Sequence, residues 1–155
     1  MGKTAIYPGS FDPFTNGHLD IVRKAAEIFD KVYVVIGVNA EKSRSFAAEP
    51  MAEAIRRTLA LQGITNCEVV IWKGLVAEYA RLRGTEYMIR GLRNNMDYNY
   101  EENVAAVNKL INPELEYVYF RSNNVAVSSS MVKELYSYGR DVSAFVPAQV
   151  LPLLK

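Results

Sequence analysis

Residues 7–18 read Tyr7-Pro8-Gly9-Ser10-Phe11-Asp12-Pro13-Phe14-Thr15-Asn16-Gly17-His18, and the fold is decided by how this stretch is read. It follows a short apolar run, Ala5-Ile6-Tyr7, and precedes a helical pattern that starts at Leu19. A tight, glycine-bearing turn from a strand into a helix brings backbone N–H groups and a positive helix end to a place where phosphate can bind. Gly17 has no Cβ and lets a ligand approach the backbone closely. His18, the only histidine in the chain, falls in the first helical turn, with its imidazole expected to face the same place.

Working outward, apolar runs and helical periodicities alternate along the chain. Strands are predicted at Thr4–Tyr7, Lys31–Val38, Glu68–Trp72, Tyr87–Arg90 and Leu115–Phe120. The second of these, KVYVVIGV, is an almost unbroken run of β-formers, as expected of a strand covered on both faces. Helices are predicted at Gly17–Phe29, Pro50–Leu61, Leu75–Arg83, Asp97 to about Leu110, Ser129–Tyr138 and Pro147–Leu154. Leu19, Val22, Ala25, Ala26 and Phe29 share one face of the first helix. Pro50 suits a first helical position, where no N–H is needed. Gly84 closes the third helix, Asp97 is a candidate cap for the fourth, and Pro113 stops it. Such alternation implies an α/β fold, an open parallel sheet with helices on both faces, in one domain spanning 1–155. In these sheets the ligand crevice opens at the carboxyl ends of the strands, where strand order reverses.

Eighteen basic and seventeen acidic residues nearly cancel, so no global positive field exists to gather nucleic acid. Cys67 is alone, which excludes a disulfide framework and fits a reducing compartment; it reads as a buried structural thiol. No apolar run approaches the roughly twenty residues needed to cross a bilayer, and Pro8 and Gly9 interrupt any signal-peptide core. A soluble, cytoplasmic protein is expected, with no membrane and no nucleic-acid partner.

Two overlapping patterns, Gly9-Ser10-Phe11-Asp12-Pro13 and Thr15-Asn16-Gly17-His18, resemble the first signature of the small-molecule nucleotidyltransferases. Arg90-Gly91-Leu92-Arg93 follows the fourth predicted strand, and Ser128-Ser129-Ser130 with Lys133 resembles the second signature, ISSTxxR. Taken together the blocks are most similar to the phosphopantetheine adenylyltransferase family. That resemblance implies a Rossmann-like, doubly wound sheet of five strands in the order 3-2-1-4-5. It also implies transfer of the adenylyl group of ATP to 4′-phosphopantetheine, in a homohexamer that coenzyme A can inhibit; Mg2+ is expected from the chemistry, to neutralise the departing pyrophosphate.

Adenylyl transfer needs no protein base, because the attacking phosphate is already an anion. It needs positioning and donors for the charge on the transferring group. His18 matches the family's transition-state stabiliser, with Lys42 and Arg93 as the other catalytic candidates. For ATP the resemblance implies Ser10, Phe11, His18, Gly91, Leu92, Arg93, Glu101, Asn124, Val125, Ala126, Val127, Ser128, Ser129 and Ser130. For phosphopantetheine it implies Ser10, Lys42, Val76, Arg90, Tyr100 and Asn108. Judged on residue chemistry alone, several have plainer readings. Ser10 could stabilise a turn, Lys42 could be a solvated loop lysine, and the serine run could be routine helix capping. Val76 and Asn108 are ordinary helix residues. Arg90 and Arg93 suit phosphate oxygens through their planar forks, or could pair with Asp97 or Glu101. Arg44 is assigned no role.

The chain departs from the family pattern at Asn124-Val125, where an aromatic is usual, at Glu49-Pro50-Met51, and at Ser137, which replaces a basic residue of some relatives. Sister transferases acting on nicotinamide mononucleotide, or on glycerol phosphate with CTP, generally carry HxGH where this chain has Thr15. A noncatalytic nucleotide-binding regulator with the same fold is the alternative from another class. A fragment of a class I aminoacyl-tRNA synthetase would lack its basic face here.

Overall fold

A computed structural model describes residues 2–39, 43–92, 105–122 and 128–154. Its strands are β1 (Thr4–Gly9), β2 (Lys31–Val38), β3 (Cys67–Lys73), β4 (Tyr87–Leu92) and β5 (Glu116–Arg121). Between and after them lie α1 (Asn16–Ile28), α2 (Ala48–Leu61), α3 (Val76–Arg83), the helical residues 105–111 (α4) and α5 (Ser129–Ser137). All strand pairs are parallel, and the order is β3-β2-β1-β4-β5. This is the doubly wound, Rossmann-like sheet that the sequence predicts.

Alternation along the strands sorts the core into two layers. Ala5 and Tyr7 of β1, Val32, Val34 and Ile36 of β2, and Ile89 of β4 face one side, where α1, α2 and α5 cover them. Ile6, Val35 and Met88 face the other side with α3 and Leu115. Right-handed crossovers require this split, because the chain moves one way from β1 to β3 and returns past β1 to β4 and β5.

Strand order therefore reverses between β1 and β4, and the two strands hold each other only briefly. Their ladder comprises Ala5↔Tyr87 and Ile6↔Met88, whereas β1 pairs with β2 as far as Gly9↔Ile36. Pro8 explains the difference. A strand residue turns its N–H and C=O toward the same neighbour, and the Pro8 carbonyl faces β4, where it accepts a hydrogen bond from Arg90 Nη1 at 2.6 Å. Proline has no N–H to offer on that side, so the ladder stops and the strand ends part.

Several boundaries differ from the predicted ones. α1 begins at Asn16, with Thr15 as its cap, rather than at Gly17. α2 begins at Ala48, so Pro50 is its third residue; the N–H it lacks is still one of those without an intrahelical partner. The predicted helix over Pro147–Leu154 contracts to a 3-10 turn at Leu151–Leu154, because Pro152 interrupts the donor pattern. Gly84 closes α3 in the left-handed region, φ 67°, as predicted. The proposed Asp97 cap lies outside the described residues. No helix among the described residues is long and apolar enough to cross a membrane.

Candidate active site at the strand reversal

The loop from β1 to α1 is held by its aromatic residues. Phe11 is 2% exposed and adopts φ 46°, a left-handed conformation rare for a bulky side chain. Its ring is wedged edge-on among Tyr7, Phe14 and His18, with centroids 5.3, 5.5 and 5.0 Å away. Burial of the ring compensates for the strained backbone. Gly9 makes room for it: a Cβ there would sit 2.9 Å from the Phe11 ring. Phe11 was expected to contact ATP; its buried ring leaves the backbone as the part able to do so.

His18 is the third residue of α1, and it closes a capping box with Thr15. The Thr15 hydroxyl accepts from the His18 N–H at 3.3 Å, and His18 Nδ1 accepts from the Thr15 N–H at 2.9 Å. An Nδ1 that accepts a backbone N–H carries no proton, so the neutral ring holds its proton on Nε2. The half-buried imidazole also lies against Phe14 at 5.6 Å. Thr15, the residue that separates this chain from the HxGH pattern, thus orients the histidine and selects its tautomer.

The start of α1 is less open to anions than the sequence suggests. Asn16 N–H donates to Phe145 O at 2.8 Å, and the Thr15 and His18 amides are committed to the capping box. Beside the Gly17 N–H, further donors for an anion can come from the turn before the helix.

Asp12 and Arg44 connect that turn to the loop after β2. The two oxygens of the buried Asp12 carboxylate accept the Ser45 and Phe46 N–H groups, each at 2.8 Å. Arg44 donates to Ser10 O at 2.6 Å, Phe11 O at 3.3 Å and Phe46 O at 2.9 Å. Lys133 of α5 lies 3.8 Å from Asp12. Neither Asp12 nor Arg44 stood out in the sequence, because the bonds that join the two loops reach backbone more than thirty residues away.

The serine motif meets the same loop. Ser128 caps α5, accepting from Met131 N–H at 3.1 Å, while the Ser129 hydroxyl donates to Pro13 O at 2.8 Å. Ser130 is exposed. Ser128 thus caps α5, and Ser129 joins the second signature to the first. Farther along α1, the Ser122 hydroxyl donates to Asp20 at 3.2 Å, fastening the end of β5 to the same helix. Contacts thus bring Ser10, Phe11, His18, Arg90, Ser128 and Ser129 around the carboxyl ends of β1, β4 and β5. Gly91 and Leu92 close β4 beside them; a Cβ on Gly91 would lie 3.4 Å from Ile21 of α1.

Val76 and Asn108 belong to the opposite face of the sheet. Val76 packs on the Ile6 and Met88 cluster, and the Asn108 amide donates to the Tyr117 hydroxyl. Lys42, Arg93, Tyr100, Glu101 and Asn124 to Val127 lie outside the described residues. Cys67 is half-buried at the start of β3, and loss of hydration pushes its thiol up from 9.0 to about 11, which fits a structural group. An open groove of about 470 Å³ lies at the other end of the sheet, beside Arg81, Thr85 and Asn112. Three of its polar groups are used internally: Arg81 donates to Ile111 O, Asn112 to Ala77 O, and Thr85 meets Thr4.

Residues 6–135 match the cytidylyltransferase-like family model. A phosphopantetheine adenylyltransferase of Cytophaga hutchinsonii is 43% identical over 152 residues, covering 97% of this chain and 100% of that protein. The chain belongs to the phosphopantetheine adenylyltransferase family. A member from Lacticaseibacillus paracasei is 42% identical, over 96% of this chain and 89% of the relative. The crystal structure of a Vibrio parahaemolyticus protein described as a nicotinate-nucleotide adenylyltransferase superposes with a TM-score of 0.69. It covers 99% of this chain and 92% of that one at 15% identity, a likeness of fold. Family membership extends over the whole of the β1–α1 loop, β4 and the start of α5.

Proposed function

We infer that the chain is a pantetheine-phosphate adenylyltransferase, an enzyme of coenzyme A biosynthesis. An oxygen of the 4′-phosphate of phosphopantetheine attacks the α-phosphorus of ATP. The bond from that phosphorus to the bridging oxygen of the β-phosphate breaks, pyrophosphate leaves, and dephospho-coenzyme A remains. The attack is in line and forms no covalent enzyme intermediate. The observation that carries this reading is the capping box, which leaves the His18 proton on Nε2, a neutral donor suited to an α-phosphate oxygen gaining charge.

Arg90 is assigned to the acceptor phosphate, at the parting of β1 and β4 where it already reaches Pro8 O. Lys42 and Arg93 supply further cations. Ser10, the Phe11 backbone, Gly91, Leu92, Glu101 and residues 124–130 hold ATP. Val76, Tyr100 and Asn108 hold the pantetheine arm. Among the described residues no three His, Cys, Asp or Glu side chains converge, and Asp12 is committed to two amides and two cations. We therefore assign Mg2+ to the triphosphate, where it neutralises charge on the departing pyrophosphate. A cytoplasmic homohexamer, subject to feedback by coenzyme A, completes the proposal.

The test is release of pyrophosphate from ATP and Mg2+ with a panel of phosphorylated acceptors. Release with 4′-phosphopantetheine is expected. Release with nicotinamide mononucleotide or glycerol phosphate instead, and none with phosphopantetheine, overturns the assignment.

A further inference from the structure

Arg44 lies in the loop after β2, and its side chain is only 15% exposed. Its guanidinium reaches across to two consecutive carbonyls, Ser10 O and Phe11 O. In extended chain, successive carbonyls point to opposite sides, so one side chain cannot ordinarily collect both. The left-handed backbone of Phe11, φ 46°, turns them to the same side. Asp12 returns the contact by accepting the Ser45 and Phe46 amides, so the two loops are bonded in both directions.

Peptide planarity gives this clamp a consequence on the far side of the turn. In a trans peptide the C=O and the following N–H point in opposite directions. With the Ser10 and Phe11 carbonyls drawn to Arg44, the N–H groups of Phe11 and Asp12 are both aimed away from it. Neither meets an acceptor among the described residues. Two successive N–H groups directed to one side form an anion-binding concavity. The first turn of α1, by contrast, has spent its Thr15, Asn16 and His18 amides within the protein.

We propose that Arg44 is a positioning residue: it fixes the Ser10-Phe11-Asp12 peptides so that the Phe11 and Asp12 amides form the phosphate cradle for the transferred group. The inference rests on the adenylyltransferase reading and assigns part of its phosphate recognition. Arg44 touches no substrate. It acts through the orientation of two amides and needs all three of its nitrogens in one plane.

Arg44→Ala and Arg44→Lys test it in the full-length chain, with melting temperature as the check on folding. Removing a single well-placed donor from a developing anion costs about 100-fold in turnover, and a misaimed pair is expected to lower kcat by about tenfold or more in Arg44→Ala. Lysine has charge but no fork and is expected to stay within about threefold of alanine. By calorimetric titration, affinity for ATP should fall about tenfold while affinity for adenosine, which carries no phosphate, is unchanged. Wild-type kcat in either variant overturns the proposal, and so does an equal loss of ATP and adenosine binding. Should Arg44→Ala fail to fold, Arg44→Lys alone decides through the same readings. If the wild type turns over no phosphopantetheine, the functional reading fails, and the ATP-against-adenosine comparison still decides the role of Arg44.

Discussion

At the scale of single residues, the site depends on a histidine whose tautomer is set by its own helix. Thr15 and His18 satisfy each other's backbone, and the ring is held between Phe11 and Phe14. His18→Ala removes the Nε2 donor. Turnover is expected to fall about 100- to 1000-fold, while nucleotide binding measured by titration changes little. Retained turnover would mean that His18 is no transition-state donor. Gly9 serves the same loop passively. In Gly9→Ala the new methyl group meets the Phe11 ring at 2.9 Å, and buried Phe11 cannot swing aside. A loss of about 1–3 kcal/mol is expected in chemical denaturation, together with lower activity. Cys67 makes a pH-dependent contribution. Its thiol ionises near 11 in the folded chain and nearer 9.0 when unfolded. Between these values the unfolded state loses its proton first, so stability falls as pH rises through that window. Below pH 9 the effect is absent. Denaturation midpoints across the window should show this slope, and Cys67→Val should flatten it.

At the scale of elements, the strands were the most legible part of the chain. Runs such as Lys31–Val38 combine β-branched residues with burial on both faces, and every predicted strand is present with ends shifted by a residue or two. The β1–α1 loop was legible too, because glycine, proline and a capping threonine carry local meaning. Helix starts were less so. Pro50 was placed at the first helical position, yet Ala48 and Glu49 already form the start of the helix before it. The Asp12–Arg44 latch was not legible at all, since a charged pair in a polar loop looks like solvated surface until the fold brings its partners near. Elements also meet through single side chains. Ser129→Ala removes the one hydroxyl that ties the start of α5 to Pro13 O. That variant is expected to raise KM for ATP several-fold and leave kcat nearly unchanged, because the loop and His18 stay in place. A purely structural bond would lower melting temperature and leave KM alone.

At the scale of the whole molecule, the described residues expose Leu82 of α3 and Val107 and Leu110 of α4, at 68%, 58% and 84%. These two helices cover one face of the sheet, and their outward apolar residues accord with the proposed homohexamer. Light scattering should then report a particle near six times the 17.4 kDa protomer. A monomer at micromolar concentration would remove that part of the proposal.

The bond from Asn16 N–H to Phe145 O has a consequence in time. It spans almost the full length of the chain, and so does the contact of the Asn16 amide with Ala144 O. A ribosome that has delivered only the first two strands and their helices has made every atom of the Tyr7–His18 motif, yet neither acceptor that seats Asn16. Competence must await residues 144 and 145, and a nascent chain should handle nucleotide poorly until both have emerged.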